Sequence, residues 1–383
     1  MKDEGSNRHP DSARPLSSRK RRSEFDFIEQ IRRRAFRRKE NGANKSHSAL
    51  STQHSALLKG IGDDAAVMRA SAAHDILITA DFLVEDIDFR RDWVSPRLLG
   101  HKALAVSLSD VAAMGARPRW ALLSIGVPRD VWQSRFLDGF YEGFFALADE
   151  YEVTLIGGDV SRTPEKIVVD SIVLGEARRK RTVFRSGAQI GDRIYVTGAL
   201  GGAAAGLRLL ESGARLSKNF ARKPRLNATE RLMLRQLRPD ARVAWGRLLS
   251  EEKLATAMID LSDGLSSDVA HLCRASSVGA TIEAARIPVD PLIESADATI
   301  FGDSSDDSPD SLALSLHGGE DYELLFTVNP RKAARVPGEV DGVPATYIGD
   351  VTEKAGRVHL VEGKRRLVLM PSGFNHFKPR QRK

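Results

Sequence analysis

Short acidic clusters carry the chemistry this chain could do. They read Gly62-Asp63-Asp64, Thr79-Ala80-Asp81, Gly157-Gly158-Asp159 and Asp260-Leu261-Ser262-Asp263, and Asp110 adds a further carboxylate. Most lie where an apolar strand or helix runs into a small-residue turn. Carboxylates brought together by folding repel by about 4 kcal/mol per pair at an effective dielectric near 20, so such a group either retains protons or binds hard cations. Oxygen ligands without histidine or thiolate, set among small residues that admit phosphate, point to Mg2+ holding a nucleotide.

Asp110 has the apolar neighbours Val106, Leu108, Val111 and Ala112, and a buried carboxylate there needs a partner: a cation, or simply a cap or salt bridge. Gly157-Gly158-Asp159 follows an apolar run, where backbone can approach a ligand and a carboxylate sits at a strand's end; alone it also reads as a plain turn. Gly198-Ala199-Leu200-Gly201-Gly202 resembles a phosphate-cradling loop but lacks the Lys-Ser/Thr of a Walker A sequence, which leaves close helix–strand packing as the other reading. There is no His-Arg-Asp catalytic loop, Asp81-Phe82-Leu83 is not Asp-Phe-Gly, and the histidines form no His-Glu-x-x-His pair, so common kinase and zinc chemistries are excluded.

The elements that must position these residues alternate. Residues 24–38 suit an amphipathic helix, followed by a polar linker at 41–55. Residues 76–79 read as a strand delivering Asp81. Ser95-Pro96 starts a helix that runs to Met114 and stops at Gly115. A strand at 120–127, a helix at 131–151, a strand at 153–156 and another at 167–174 follow, and this alternation means a mixed α/β or α+β first half. After a boundary near 186–189, residues 194–198 read as a strand entering a Gly/Ala-rich helix at 201–210. The charged stretch 211–238 reads as peripheral, and 303–310 as a solvated acidic loop.

With 383 residues, 42% apolar and 28% charged, the chain has the composition of a soluble two-domain protein. The single cysteine, Cys273, excludes an internal disulfide framework, fits a reducing cytoplasm and reads as a buried helical thiol. No apolar run approaches the ~18 residues of a membrane span, and no secretory signal is present. Much of the +7 charge lies in Arg19-Lys20-Arg21-Arg22, Arg32-Arg33-Arg34, Arg37-Arg38-Lys39, Arg178-Arg179-Lys180-Arg181 and the tail 378–383. Few aromatic residues interleave with these runs, which favours solvated arms over a nucleic-acid contact.

Taken in order, Gly60 to Ala66, Thr79 to Phe89, Lys102 to Ala116, Ile156 to Asp159, Arg185-Ser186-Gly187, Ile259 to Leu265 and Gly318-Gly319-Glu320-Asp321-Tyr322-Glu323-Leu324 closely resemble the thiamine-monophosphate kinases, within the superfamily of aminoimidazole ribonucleotide synthetase and selenophosphate synthetase. The resemblance covers residues 24–377. It implies an α+β, two-domain synthetase-like fold. It implies an N-terminal metal, ATP-binding and dimerisation domain (24–186), whose mixed sheet pairs into a barrel across a homodimer; the preceding residues 1–23, rich in Ser, Pro, Arg and Asp, exceed the family pattern and read by composition as a disordered basic arm. A C-terminal α/β sandwich domain for nucleotide and substrate (187–377) and a basic tail (378–383) complete it.

It further implies ATP-dependent phosphorylation of thiamine monophosphate to thiamine diphosphate by direct in-line transfer, with several Mg2+ ions and no phosphoenzyme. The implied magnesium ligands are Asp64, Thr79, Ala80 through its backbone, Asp81, Asp110, Asp159, Asp260 and Asp263. Tyr141, Gly158, Arg185 and Ser262 are the implied nucleotide contacts, and Glu320 and Phe374 the contacts to thiamine. Asp110, Asp159 and Arg185 carry the transfer. The family usually reads Val-Glu-Gly-x-His-Phe where this chain has Val84-Glu85-Asp86-Ile87-Asp88-Phe89, which puts Asp88 near the substrate and bears on its affinity. Two other readings follow: a related ATP/Mg enzyme with another phosphorylated acceptor, or a non-catalytic nucleotide- or RNA-binding protein on this scaffold.

Overall fold

The computed structural model describes residues 57–217, 220, 223, 225–296 and 311–374, together with Glu29. Glu29 is helical; the rest of the expected helix at 24–38, the arm 1–23, the linker 41–55, the loop 303–310 and the tail 378–383 lie outside these residues. The described residues from 57 to 374 belong to one unit.

The first sheet contains β1 (Leu57–Lys59), β2 (Ala66–Arg69), β3 (His74–Val84), β4 (Arg117–Val127), β5 (Thr154–Arg162) and β6 (Val168–Arg178), in the order β1-β2-β3-β6-β4-β5. It is open, with β1 and β5 at its edges. Neighbours are antiparallel except β4 and β5, whose parallel pairing requires a crossover, supplied by helix. Of the two long helices, α1 (Pro96–Ala113) starts as its sequence dictates: Ser95 caps it by accepting the Leu98 N–H at 3.4 Å, and Pro96 takes the first position. It is apolar on nearly all sides and is buried accordingly. The crossover helix α2 (Phe136–Glu150) lies so close to it that a Cβ on Gly143 would sit 1.8 Å from the Arg97 carbonyl oxygen.

Two strands run further than their apolar segments suggest. β3 pairs with β6 from His74↔Arg178 to Val84↔Val168, so Asp81 sits within the strand, opposite Ser171. β5 continues through Gly157-Gly158-Asp159 to Arg162 because it stays paired with β4, so Asp159 does not end a strand. Gly158 is needed for that pairing: its φ is +149°, and a Cβ would lie 1.8 Å from the Leu123 carbonyl oxygen.

The second sheet is built from β7 (Arg193–Thr197), β8 (Ala255–Asp260), β9 (Gly279–Glu283), β10 (Leu324–Val328), β11 (Glu339–Val340), β12 (Val343–Thr352), β13 (Val358–Glu362) and β14 (Arg365–Val368). Its order is β14-β13-β9-β12-β7-β10-β8, with β11 on β12. Around it lie α3 (Gly202–Glu211), α4 (Ala228–Leu237), α5 (Val243–Glu251), α6 (Leu265–Ser276) and α7 (Ser311–His317). Strand alternation divides the core. Tyr195, Met258 and Phe326 join Leu209, Leu232 and Trp245 in a core continuous with that of the first sheet, whereas Ile194, Val196, Ile259 and Leu325 pack with Leu265, Val269 and Cys273. This is an α/β sandwich with helices on both faces.

The stretch 211–238 is not simply peripheral: α4 buries Leu232, Met233 and Leu237, since its apolar residues recur at helical spacing among the charges. Burial pushes the Cys273 thiol up to about 12, so it is an inert core group. Among the described residues, no helix is long and apolar enough to cross a membrane.

Candidate active site

Three of the sequence's carboxylates converge. Asp64 ends the turn after β1, Asp110 lies near the end of α1, and Asp260 is the last residue of β8. One carboxylate oxygen from each lies within 4.8 Å of the others. Both sheets therefore contribute to one acidic cluster. Thr79 on β3 donates its hydroxyl to Asp110, and Ser109 on α1 donates to Asp260 at 2.7 Å. Ser107 donates to Asp81 at 2.7 Å. Arg185 reaches Asp64 through both Nε, at 3.0 Å, and Nη2, and its backbone N–H donates to Asp63 at 3.1 Å. Asp63 also pairs with Lys59 at 2.9 Å.

Burial dominates the electrostatics. It pushes Asp64 up to about 6 even though Arg185 opposes the shift, and Asp260 up to about 6 against the Ser109 hydrogen bond and Arg185. Asp110 rises well above the usual carboxylate range, first through desolvation and then through repulsion from Asp81, Asp260 and Asp64. Asp81 is also pushed up to about 6 by desolvation, with Asp170 adding to it. Burial costs Arg185 solvation, but Asp64, Asp260 and Asp63 outweigh that and keep it protonated. The donor set fits a hard divalent cation: all ligands are oxygen, the carboxylates repel without one, and Asp64 Oδ2 is buried with no hydrogen-bond partner.

The other candidates are more dispersed. Ala80, exposed, and Asp81, half-buried, follow Thr79 on β3. Asp159 is exposed on β5 and its carboxylate accepts the Val160 N–H at 2.9 Å. It lies opposite Ser124, which itself opposes Asp170, so two strand spacings, about 10 Å, separate Asp159 from Asp170. Asp263 and Ser262 follow Asp260 in the turn before α6; the Asp263 carbonyl accepts the Phe374 N–H at 3.1 Å and the Ser262 carbonyl accepts the Glu320 N–H at 2.8 Å. The Phe374 ring is half-exposed. Tyr141 on α2 stacks on Phe145, with ring centroids 6.0 Å apart.

Glu320 is held at both oxygens, by Lys102 at 2.8 Å and by the Gln236 amide. In the segment that departs from the family pattern, Asp86 adopts a left-handed φ of +71°, a conformation glycine takes freely and Asp tolerates, and it pairs with Lys166. Asp88 accepts the Val84 N–H at 2.8 Å. Both acids thus have local partners.

The Gly198–Gly202 loop is no phosphate cradle in this structure. The Gly201 N–H and that of the adjoining Ala203 donate to the half-buried Asp321 carboxylate at 2.8 and 3.2 Å, so a side chain takes the place an anion would need. Sequence reasoning also passed over Ser107, Ser109, Lys102 and Asp268. The first three are polar residues on an otherwise apolar helix, which was the available signal. Asp268 is buried and accepts the Asp263 and Gly264 N–H groups at 3.2 and 3.0 Å, fixing the turn that carries Asp263.

Comparison with known proteins shows the family. Residues 62–177 match the family described as AIR synthase related protein, N-terminal domain, and residues 189–361 match its C-terminal domain. The thiamine-monophosphate kinase of Bacillus subtilis (strain 168) is 36% identical over 328 residues, spanning 85% of this chain and 95% of that protein. The thiamine-monophosphate kinase of Escherichia coli (strain K12) is 38% identical over 323 residues, spanning 83% of this chain and 91% of that protein. A solved structure described as AaThiL complexed with AMPPCP and TMP is 31% identical, covers 93% of this chain and 97% of its own, and superposes with a TM-score of 0.72.

Proposed function

The chain belongs to the AIR synthase related family and, within it, to the thiamine-monophosphate kinases; on that premise we infer that it transfers the terminal phosphoryl group of ATP to thiamine monophosphate, giving thiamine diphosphate and ADP. The observation that carries the reading is the cluster of Asp64, Asp110 and Asp260, drawn from both sheets and left with unbalanced negative charge.

These three carboxylates, with Asp81, Thr79, the Ala80 carbonyl, Asp159 and Asp263 around them, would hold several Mg2+ ions. Held there, such ions would supply charge neutralisation for the reacting phosphates. Arg185 keeps Nη1 for a nucleotide phosphate while Nε and Nη2 hold Asp64 in place. Ser262, Gly158 and Tyr141 complete the nucleotide contacts. Glu320, kept ordered by Lys102 and Gln236, faces the cationic thiazolium, and Phe374 offers a ring to it. Asp88 shapes the neighbouring turn. The acceptor is a phosphate monoester with a second pKa near 6, so it is largely dianionic at neutral pH and needs no general base. Transfer is direct and in line. The exposed edge strand β5, with Ile156 and Val160 at the surface, together with exposed Phe82 on β3, supports a homodimer formed through the first sheet. We place the enzyme in the cytoplasm, with domains at 24–186 and 187–377. No specific observation favours another acceptor or a purely binding role.

Product analysis tests this reading. Thiamine diphosphate and ADP should form one to one, and labelled ADP should not exchange into ATP when thiamine monophosphate is absent. Exchange without the acceptor would point to a phosphoenzyme and overturn direct transfer.

A further inference from the structure

A second charged site lies at the other end of the first sheet. A cavity of about 190 Å³ is lined by the ends of β3, β4 and β6 and by the end of α5, with Gly115 and Ser250 among its walls. His74, which opens β3, borders it, and Asp81 lies seven residues further along the strand, about 23 Å away. Four guanidinium groups line it: Arg117, Arg178, Arg181 and Arg247. Two of them come from the basic run at 178–181, which phosphoryl transfer does not use.

The carboxylates present neutralise these groups only in part. Glu251 pairs with Arg247 at 3.2 Å, and its carbonyl accepts from Arg181 at 3.0 Å. Glu176 is shared between His74 and Arg119, each at 3.9 Å. Arg117 pairs with Glu152 outside the cavity lining. Among the described residues, the Arg178 guanidinium has no hydrogen-bonding or ionic partner. Four arginines against two glutamates leave the lining with a net charge of +2.

We propose that this cavity binds a small phosphate-bearing anion, gripped by Arg178 and Arg247. Guanidinium forks match phosphate oxygens in pairs, and a concave wall of arginines concentrates an anion where a single surface pair would not. The site is small and concave and has no Phe, Tyr or Trp in its lining, which fits a diphosphate or the phosphate end of a nucleotide rather than a stacked nucleic-acid strand. Its positive sign also separates it from the acidic cluster, which repels free anions unless a metal is bound.

The test uses the full-length protein in EDTA, with inorganic pyrophosphate titrated by calorimetry and ADP as competitor. Wild type and Asp110→Asn should bind pyrophosphate alike, and Arg178→Ser/Arg247→Ser should bind it about tenfold more weakly or worse, with unchanged thermal unfolding and unchanged kinase turnover. Displacement by ADP at lower concentration than pyrophosphate would mean that a nucleotide's phosphate end is read; displacement only at higher concentration would mean that free diphosphate is preferred. Either supports the site. Absent pyrophosphate binding, equal binding by the double variant, or loss in Asp110→Asn overturns the proposal. So does binding of a labelled oligonucleotide that the arginine substitutions abolish while pyrophosphate fails to bind. If the double variant unfolds, Arg178→Gln alone must show the weakening.

Discussion

Replacing Asp110 by asparagine should stabilise the metal-free protein while removing its activity. Asp110 faces two carboxylates, with oxygens of all three within 4.8 Å of one another. At the outer limit of that spacing and a dielectric near 20, an ionised pair repels by about 3.5 kcal/mol, or about 7 kcal/mol for the two pairs before any relief. Protonation relieves part of it, since neutralising a carboxyl of ordinary pKa at pH 7 costs about 4 kcal/mol and caps the penalty. The Arg185 contact to Asp64, the partial exposure of Asp110 and the lost hydrogen bond from Thr79 subtract further. A net gain of about 1–3 kcal/mol remains, or roughly 1–4 °C in Tm for a chain of this size. The pH dependence has a definite sign. Asp64 and Asp260 titrate at about 6 in the folded chain against an ordinary 3.8. Their folded values are raised, so the stability they contribute is complete below about pH 4 and is lost as pH rises through about 6. Thermal unfolding in EDTA between about pH 4.5 and 7.5 measures this, and Asp110→Asn should show a shallower decline. A variant no more stable than wild type at pH 7.5, or one with the same pH slope, would refute the charge-repulsion argument.

Other outcomes follow from the same geometry. The Mg2+ concentration for half-maximal activity should rise as pH falls below about 6, because protons and metal compete for Asp64 and Asp260; a Mg2+ requirement constant from pH 5.5 to 8 would argue against it. Lys102→Met strands Glu320, and should cost about 2–4 kcal/mol in chemical denaturation and raise KM for thiamine monophosphate without changing KM for ATP. Ser109→Ala removes the hydroxyl that orients Asp260, and should lower kcat about tenfold at limiting Mg2+ and less at saturating Mg2+. Asp88→Ala deletes an acceptor for the Val84 N–H, and should lower stability by about 1 kcal/mol in urea unfolding.

The residue order made much of this molecule readable. Ser95-Pro96 and Gly115 bracket α1 because capping and helix termination are local chemistry. The fold class followed from the succession of motifs, and so did the acidic residues that meet. Strand length did not, since β3 and β5 are prolonged by pairing with partners distant in sequence, and Asp81 and Asp159 consequently lie within strands rather than at their ends. The glycine loop at 198–202 left phosphate binding and close packing both open for a related reason: the anion it holds is Asp321, more than a hundred residues away. The hydroxyls of Ser107 and Ser109 sit on a helix whose apolar character hides them, and only tertiary contact shows that they hold Asp81 and Asp260. Asp86 and Asp88, where the chain departs from the family pattern, have partners in Lys166 and the Val84 N–H that the linear sequence does not display.

The most direct test of the central claim is the rate of thiamine diphosphate formation from ATP and thiamine monophosphate as Mg2+ is raised, in wild type and in Asp260→Asn. The acidic cluster as metal seat predicts wild-type turnover that requires thiamine monophosphate and saturates with Mg2+, and a variant that keeps its fold but is nearly inactive at every Mg2+ concentration that saturates wild type. Wild-type rates from Asp260→Asn at limiting Mg2+, or ATP turnover by wild type that ignores thiamine monophosphate, would contradict it.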